Sequence, residues 1–395
     1  MAGFAPEGLD AIRAWLRGWV DSGRLASAHV LVACDGEPVL SFGYGGTAPP
    51  IGDDTVVRIH SMTKPISAVA ALQLIEHGQL RLHDPVSRYI PSFAGLRVNR
   101  GRSGETLDPV PATTPMTVWH LLTHTAGFTY GEGNAGAVSR LYEEHRCDFG
   151  PGDGPLAEGV ARLARLPLLF EPGTAWNYGV ASDVLGRVIE VAAGRPLDEV
   201  IRREILEPLG MGDTTFRVGE VAPGRLAPLH EAGDDGLAVA VDTADELVIP
   251  PHRLTLSGGG GLLSTSRDYF RFAEMLRRGG TLDGATLLRP ETVAEMTRNQ
   301  LPGDLEQLDE ATFGEVSMAG VGWGYGLSVV TDPDKTAWRC APGEFGWGGY
   351  ASTAFWIDPV HDVTVVFITQ LIPSDRHPLR GQLRGLVADA WSGTP

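Results

Sequence analysis

Apolar positions along this chain follow two periods, and the change from one to the other outlines its elements. Leu9, Ile12, Trp15, Leu16 and Val20 recur at helical spacing and predict an amphipathic helix over 7–22. Ala28 to Cys34 and Pro38 to Tyr44 are apolar runs of strand length. They are joined by Asp35-Gly36, a pair suited to a two-residue hairpin turn because both residues tolerate positive φ. Val56 to Ile59 predicts a third short strand. Behind it, Ile66, Val69, Ala70, Leu72, Leu74 and Ile75 predict a helix with one buried face, stopped by a left-handed Gly78. Residues 95–116 read as a long loop. Thr117 then caps a short helix, Val118 to Leu122, and 130–155 is loop-rich around a helical stretch at Ala137 to Glu144. Helical periodicity returns at 156–166, 181–193 and 197–207. A cap at Ser264 to Asp268 opens a helix to Arg278, and Leu379 to Trp391 closes the chain as another. Gly326 to Thr331, Ser352 to Ile357 and Val363 to Thr369 are β-rich.

Strands at both ends with helices between them predict an α+β architecture. An antiparallel sheet flanked by helices is drawn from 1–82 and 255–395, a mainly helical domain of 83–254 is inserted, and the site lies between the two. Composition narrows the partners. A formal net charge of −17 argues against nucleic acid and against anionic membrane surfaces. Cys34, Cys147 and Cys340 are too few and too scattered for a disulfide framework or a zinc pattern. The first residues lack a basic stretch followed by an apolar one, and no run approaches a membrane span. The expectation is a cytoplasmic, reduced protein without a cofactor, acting on a small molecule, its oligomeric state left open.

The chemistry centres on Arg58-Ile59-His60-Ser61-Met62-Thr63-Lys64-Pro65. Proline is tolerated only in the first turn of a helix, so the helix begins a few residues before Pro65 and Ser61 falls at or near its N-cap. Lys64 follows one turn later on the same face. A serine hydroxyl becomes a useful nucleophile when a neighbouring base takes its proton. A lysine can be that base where its surroundings let it release its own. The chain has two lysines, Lys64 and Lys335, so 30 of its 32 basic residues are arginine. Arginine cannot do this work. The plain alternative is a capping serine followed by a solvated lysine.

Two further stretches carry candidate chemistry. In Pro172-Gly173-Thr174-Ala175-Trp176-Asn177-Tyr178-Gly179-Val180, Tyr178 stands just before a helix. A tyrosine near cations or hydrogen-bond donors can act as a base, though it can equally be a packed residue at a helix start. In Gly343-Glu344-Phe345-Gly346-Trp347-Gly348-Gly349-Tyr350, glycines before the strand at 352 let backbone approach a ligand, and the alternative is a simple turn. An amide there and the amide of Ser61 would suit an oxyanion.

Taken together, Ser-Met-Thr-Lys, Trp-Asn-Tyr and Trp-Gly-Gly in this order and spacing resemble the penicillin-recognising serine hydrolases, in particular the family VIII carboxylesterases close to class C β-lactamases. Leu121-Leu122-Thr123-His124-Thr125-Ala126-Gly127 and the glycines before Leu262-Leu263-Ser264-Thr265 are similar to that family too, so the resemblance spans nearly the whole chain. It implies Ser61 as acylated nucleophile, Lys64 and Tyr178 as a coupled general base and acid, and the amides of Ser61 and Tyr350 as oxyanion donors. It also implies that Lys64 keeps the Tyr178 hydroxyl poised. Two departures matter. Val180 replaces the asparagine of Tyr-x-Asn, and Trp347-Gly348-Gly349 replaces Lys-Thr-Gly. The lost lysine and asparagine would have held a β-lactam's carboxylate and amide, so the resemblance implies neutral, apolar acyl esters. Trp176, Val180, Trp347, Gly348, Gly349 and the Tyr350 ring are expected around the substrate. Lys335-Thr336-Ala337 is set aside as a turn, and His124 as structural. The Gly-x-Ser-x-Gly elbow of α/β-hydrolases is absent from the sequence. The rivals are an acyltransferase on the same fold, a β-lactamase or D-amino-acid amidase, and a silent binding module.

Overall fold

The computed structural model describes residues 3–100, 106–131, 134, 136–241, 249–308 and 317–393. Its centre is one antiparallel sheet of seven strands: β1 (Ser27–Cys34), β2 (Glu37–Gly45), β3 (Val321–Trp323), β4 (Ser328–Val330), β5 (Phe345–Gly348), β6 (Ala354–Asp358) and β7 (Val363–Thr369). Their order across the sheet is β3-β4-β5-β6-β7-β1-β2. The two ends of the chain meet in its middle, where β1 pairs with β7 from Ala28↔Thr369 to Cys34↔Val363. Asp35 and Gly36 both take positive φ, +50° and +80°, in the tight turn between β1 and β2.

The strand period of two divides the core between the faces of the sheet. Val30, Val32 and Phe367 pack with Leu9, Leu16 and Leu383, under helices α1 (Pro6–Asp21) and, at the C-terminus, α5 (Leu379–Ala390). Leu31, Ala33, Val366 and Ile368 face the other way, toward α2 (Thr63–Glu76) and α4 (Ser266–Arg277) with its Phe272. Each such buried Val, Leu, Ile or Phe side chain contributes roughly 1.5–3 kcal/mol. Beyond α2 lies a helical region with Val118–Leu122, Ala137–Glu144, Leu156–Leu163, α3 (Ala181–Ala193) and Leu197–Ile201.

Several expectations need correction. Helix α2 is buried on every side from Thr63 to Leu74, not on one face. Its small residues Ser67, Ala68, Ala70 and Ala71 let neighbours approach all round. The stretch expected as a long loop contains a strand pair, Arg97–Asn99 against Pro109–Pro111, while 101–105 lie outside the described residues. The helix expected over 197–207 continues past Ile201 as a wider turn, Arg202–Leu206. Phe345 to Gly348, read as glycines ahead of a strand, is itself a sheet strand, and Val321–Trp323 was not foreseen. Among the described residues no helix is long and apolar enough to cross a membrane.

Candidate active site

The site forms where the edge of the helical region meets β5. Short strand Val57–Arg58 leads into a single tight turn, His60–Met62, and α2 starts at Thr63. Ser61 therefore sits inside that turn and not at the N-cap, which is Met62 with no side-chain cap. The turn is pinned from several sides. His60 takes a left-handed φ of +43°, Tyr269 donates its hydroxyl to Met62 O at 2.9 Å, and the Leu262 amide donates to Thr63 Oγ1 at 3.1 Å. The effect is to free the Ser61 hydroxyl from capping and leave the residue half-buried, within reach of a ligand.

Lys64 is 1 % exposed. Its Nζ lies 3.0 Å from Ser61 Oγ, 3.0 Å from Tyr130 Oη and 2.8 Å from Gly259 O. A tetrahedral amine has three directions besides its own stem, and all three are filled. A charged Lys64 donates to all three oxygens. A neutral Lys64 donates to Tyr130 and Gly259 and turns its lone pair to the Ser61 hydroxyl. The cage satisfies both protonation states without moving, as a proton-exchanging base requires.

The Gly259 carbonyl reaches Lys64 because the glycine run at 258–261 lies tightly on α2 and α3. A Cβ on Gly258 would stand 2.5 Å from Ser182 O, and one on Gly259 2.5 Å from Asp183 Oδ2. Ser67 Oγ donates to Gly258 O at 2.8 Å. Asp183 receives Ser257 Oγ at 2.5 Å and the Gly259 amide at 3.1 Å. Burial raises its carboxyl to about 6, against the pull of nearby Lys64.

Tyr178 lies on the other side of the amine. Lys64 Nζ stands 4.6 Å from the centroid of its ring, and Trp347 Nε1 donates to its hydroxyl at 2.9 Å. His124 stacks on Tyr178 with ring centroids 5.1 Å apart, and Trp323 packs edge-on against Trp347 at 4.6 Å. The hydroxyl that receives Lys64 directly is that of Tyr130, which sequence reasoning did not single out. It ends Thr-His-Thr-Ala-Gly-Phe-Thr-Tyr in a segment without periodicity, so nothing local marks it. Burial, with Tyr178 and Asp183 adding to it, holds the Tyr130 proton well above the ordinary tyrosine range. Tyr130 is thus a neutral hydroxyl beside the amine. Burial also lowers His60 to about 4 and His124 well below the usual histidine range, so both are neutral near pH 7.

Strand β5 ends beside the Ser61 turn. A Cβ at Gly349 would lie 2.3 Å from Ile59 O, so only glycine lets the strand come this close. Gly349 and Tyr350 precede a strand as expected, in the turn between β5 and β6. Arg380 Nη2 donates to Gly349 O at 2.6 Å and to Thr353 O at 3.1 Å, and the Gly349 amide donates to Thr353 O at 2.9 Å. The Tyr350 side chain is 45 % exposed, with its ring 6.0 Å from that of His60. Two residues expected against the substrate are corrected by burial. Trp176 is 1 % and Val180 0 % exposed, so neither offers a wall to an acyl chain; Trp176 backs His124, Tyr178 and Trp323. Lys335 lies in the turn Pro333–Lys335, paired with Asp332 at 3.1 Å.

Residues 12–389 match the family model described as Beta-lactamase. The chain is 35% identical over 376 residues to Protein Rv1367c of Mycobacterium tuberculosis, covering 92% of this chain and 90% of that one. It is 33% identical over 370 residues to Esterase EstB of Burkholderia gladioli, covering 88% and 86%. Among solved structures it is similar to "EstCE1, a hydrolase with promiscuous acyltransferase activity", with a TM-score of 0.79, 26% identity, and coverage of 98% and 99%.

Proposed function

The chain belongs to the beta-lactamase family and has its α+β fold, and from this site we propose that it is a serine esterase working through an acyl-enzyme on Ser61. One observation carries the reading: a reachable Ser61 hydroxyl 3.0 Å from a buried lysine whose other two hydrogen-bonding directions are taken. As Ser61 Oγ attacks the ester carbonyl, its proton passes to Lys64 Nζ. The oxygen of the tetrahedral intermediate is met by the amides of Ser61 and Tyr350. The bond to the leaving alcohol breaks, and that alcohol takes a proton from the Lys64/Tyr178 pair. Water then adds to the acyl-enzyme by the same route. The acid leaves, and Ser61 recovers its proton.

EstB is named an esterase, which supports ester chemistry for this chain. Trp347 supports it from within the site. Where a β-lactamase would present a lysine to a carboxylate, an indole donates instead to Tyr178. That favours neutral acyl esters with a small apolar acyl group. The description of EstCE1 favours a second reading, in which an alcohol acceptor replaces water in the last step. Paired turnover of p-nitrophenyl butyrate and nitrocefin tests the proposal, with Ser61→Ala as control. Fast ester cleavage with little nitrocefin cleavage, lost in the variant, is expected. Nitrocefin cleavage at the faster rate would overturn the ester preference. An active Ser61→Ala would remove the nucleophile.

A further inference from the structure

We propose that Asp183 is a positioning residue for the Lys64 amine, acting through Ser257 and the Gly259–Gly260 peptide. The proposal rests on the acyl-enzyme reading above. Lys64 Nζ donates to Gly259 O at 2.8 Å. The N–H of that same peptide unit, on Gly260, donates to Ser257 Oγ at 2.9 Å. The Ser257 hydroxyl in turn donates to Asp183 Oδ1 at 2.5 Å. Every bond in this series points the same way, from amine to carboxylate. Hydrogen bonds in such a series polarise one another, and a buried setting strengthens them. Lys64, Asp183 and Ser257 are all buried, at 1 %, 1 % and 7 % exposure. The carboxylate therefore pushes electron density along the series onto the Gly259 carbonyl oxygen and makes it a better acceptor for Lys64.

The arrangement answers a conflict at the nucleophile. A base that takes the Ser61 proton becomes a buried cation and needs a counter-charge. A carboxylate in direct contact would hold the lysine permanently charged and useless as a base. Placing a peptide and a hydroxyl between the two keeps the attraction and removes the direct ion pair. Asp183 takes no proton in this scheme. It also fixes the glycine run itself, through the Gly259 amide at 3.1 Å, and so sets where the carbonyl lies. The titratable groups facing Lys64 are His60 before α2, His124 and Tyr130 from the segment after Val118–Leu122, Tyr178 before α3, and Asp183 on α3. Burial keeps both histidines neutral and the Tyr130 proton in place, which leaves Asp183 as the carboxylate of the set. Burial holds its carboxyl at about 6, so the charge is present at pH 8 and fades below pH 6.

The test compares wild type, Asp183→Asn, Ser257→Ala and the double variant. It measures ester hydrolysis and the rate of fluorophosphonate labelling of Ser61 from pH 5 to 10. Wild type must label first; if it does not, the acyl-enzyme reading itself fails. Given labelling, each single variant is expected to lose about tenfold to a hundredfold in kcat with KM within about twofold, no more than the low end of a direct general acid–base effect, because Asp183 acts through other groups. The double variant should lose no more than the worse single one, because both cut one path. The labelling profile of Asp183→Asn should shift to lower pH, with a lower plateau. Melting temperature at pH 8 should not fall, because the variant removes a buried charge. Should Asp183→Asn fail to fold, Ser257→Ala alone decides, since it deletes one hydroxyl. Single-variant kcat within threefold of wild type, losses that multiply in the double variant, or an unshifted profile would each overturn the proposal.

Discussion

Trp347 donates its indole N–H to the hydroxyl of Tyr178, 2.9 Å away, from the end of a strand 169 residues further along the chain. The bond fixes which way the Tyr178 oxygen points while Lys64 lies over the ring face. Trp347→Phe keeps most of the apolar volume and deletes the donor. A single hydrogen bond contributes about 0.5–1.5 kcal/mol, so kcat should fall roughly threefold to tenfold. Steady-state kinetics on p-nitrophenyl butyrate checks this. An unchanged kcat would make Trp347 a packing residue only.

The two tyrosines near Lys64 should separate cleanly. Tyr178→Phe is expected to cost about two to four decades in kcat, the usual range for a general acid–base group. Tyr130→Phe removes one of three acceptors around Lys64 and should cost about tenfold. If the two losses were reversed, the proton route would run through Tyr130.

Lys64→Arg keeps the charge and should abolish turnover. A guanidinium stays protonated at any working pH, and the buried cage is shaped for one nitrogen with three partners. Measurable labelling of Ser61 by fluorophosphonate in this variant would remove the lysine as base.

Gly349→Ala should be severe in both stability and acylation. The added carbon would stand 2.3 Å from Ile59 O and 2.4 Å from Thr353 Oγ1. Either β5 retreats from the Ser61 turn or the turn shifts. Thermal melting and labelling rate should fall together, and a variant with normal labelling would show that this close approach does not matter.

Stability should peak in mildly acidic solution. Burial, partly offset by Arg384, lifts Glu344 to about 7. A carboxyl raised above its unfolded value binds its proton more tightly when folded, so stability is lost as pH rises from about 4.5 through 7. The loss is about 3 kcal/mol at most. His29, His60 and His120, lowered to about 4 by burial, act in the opposite sense and destabilise the fold as pH falls below 6.5. Glu344→Gln should therefore narrow the difference in melting temperature between pH 6 and pH 8. An unchanged difference would mean the carboxyl titrates normally.

What the sequence could show follows from how local each signal is. The hairpin at Asp35-Gly36, the capped helix after Thr117 and the serine–lysine spacing are set by neighbouring residues, and they were legible. Ser61 was expected at or near the N-cap of α2 and lies one residue before it, inside the turn His60–Met62. Tyr130 was invisible because its place beside Lys64 depends on how a loop folds back onto α2. Phe345 to Gly348 read as part of a glycine-rich lead-in to a strand because four of the eight residues from Gly343 to Tyr350 are glycine. One of those glycines, Gly349, is where the end of the strand meets Ile59 beside the Ser61 turn. The pocket was misread at Trp176 and Val180 because apolar side chains near a catalytic motif also build its support.

The most direct measurement is mass spectrometry of the enzyme quenched during turnover of p-nitrophenyl butyrate. An acyl-enzyme on Ser61 predicts a butyryl adduct on the peptide that contains it, absent from Ser61→Ala and accumulating in Tyr178→Phe if the last step slows. Ester cleavage with no adduct on wild type or on Tyr178→Phe, or with the adduct on another residue, would contradict it.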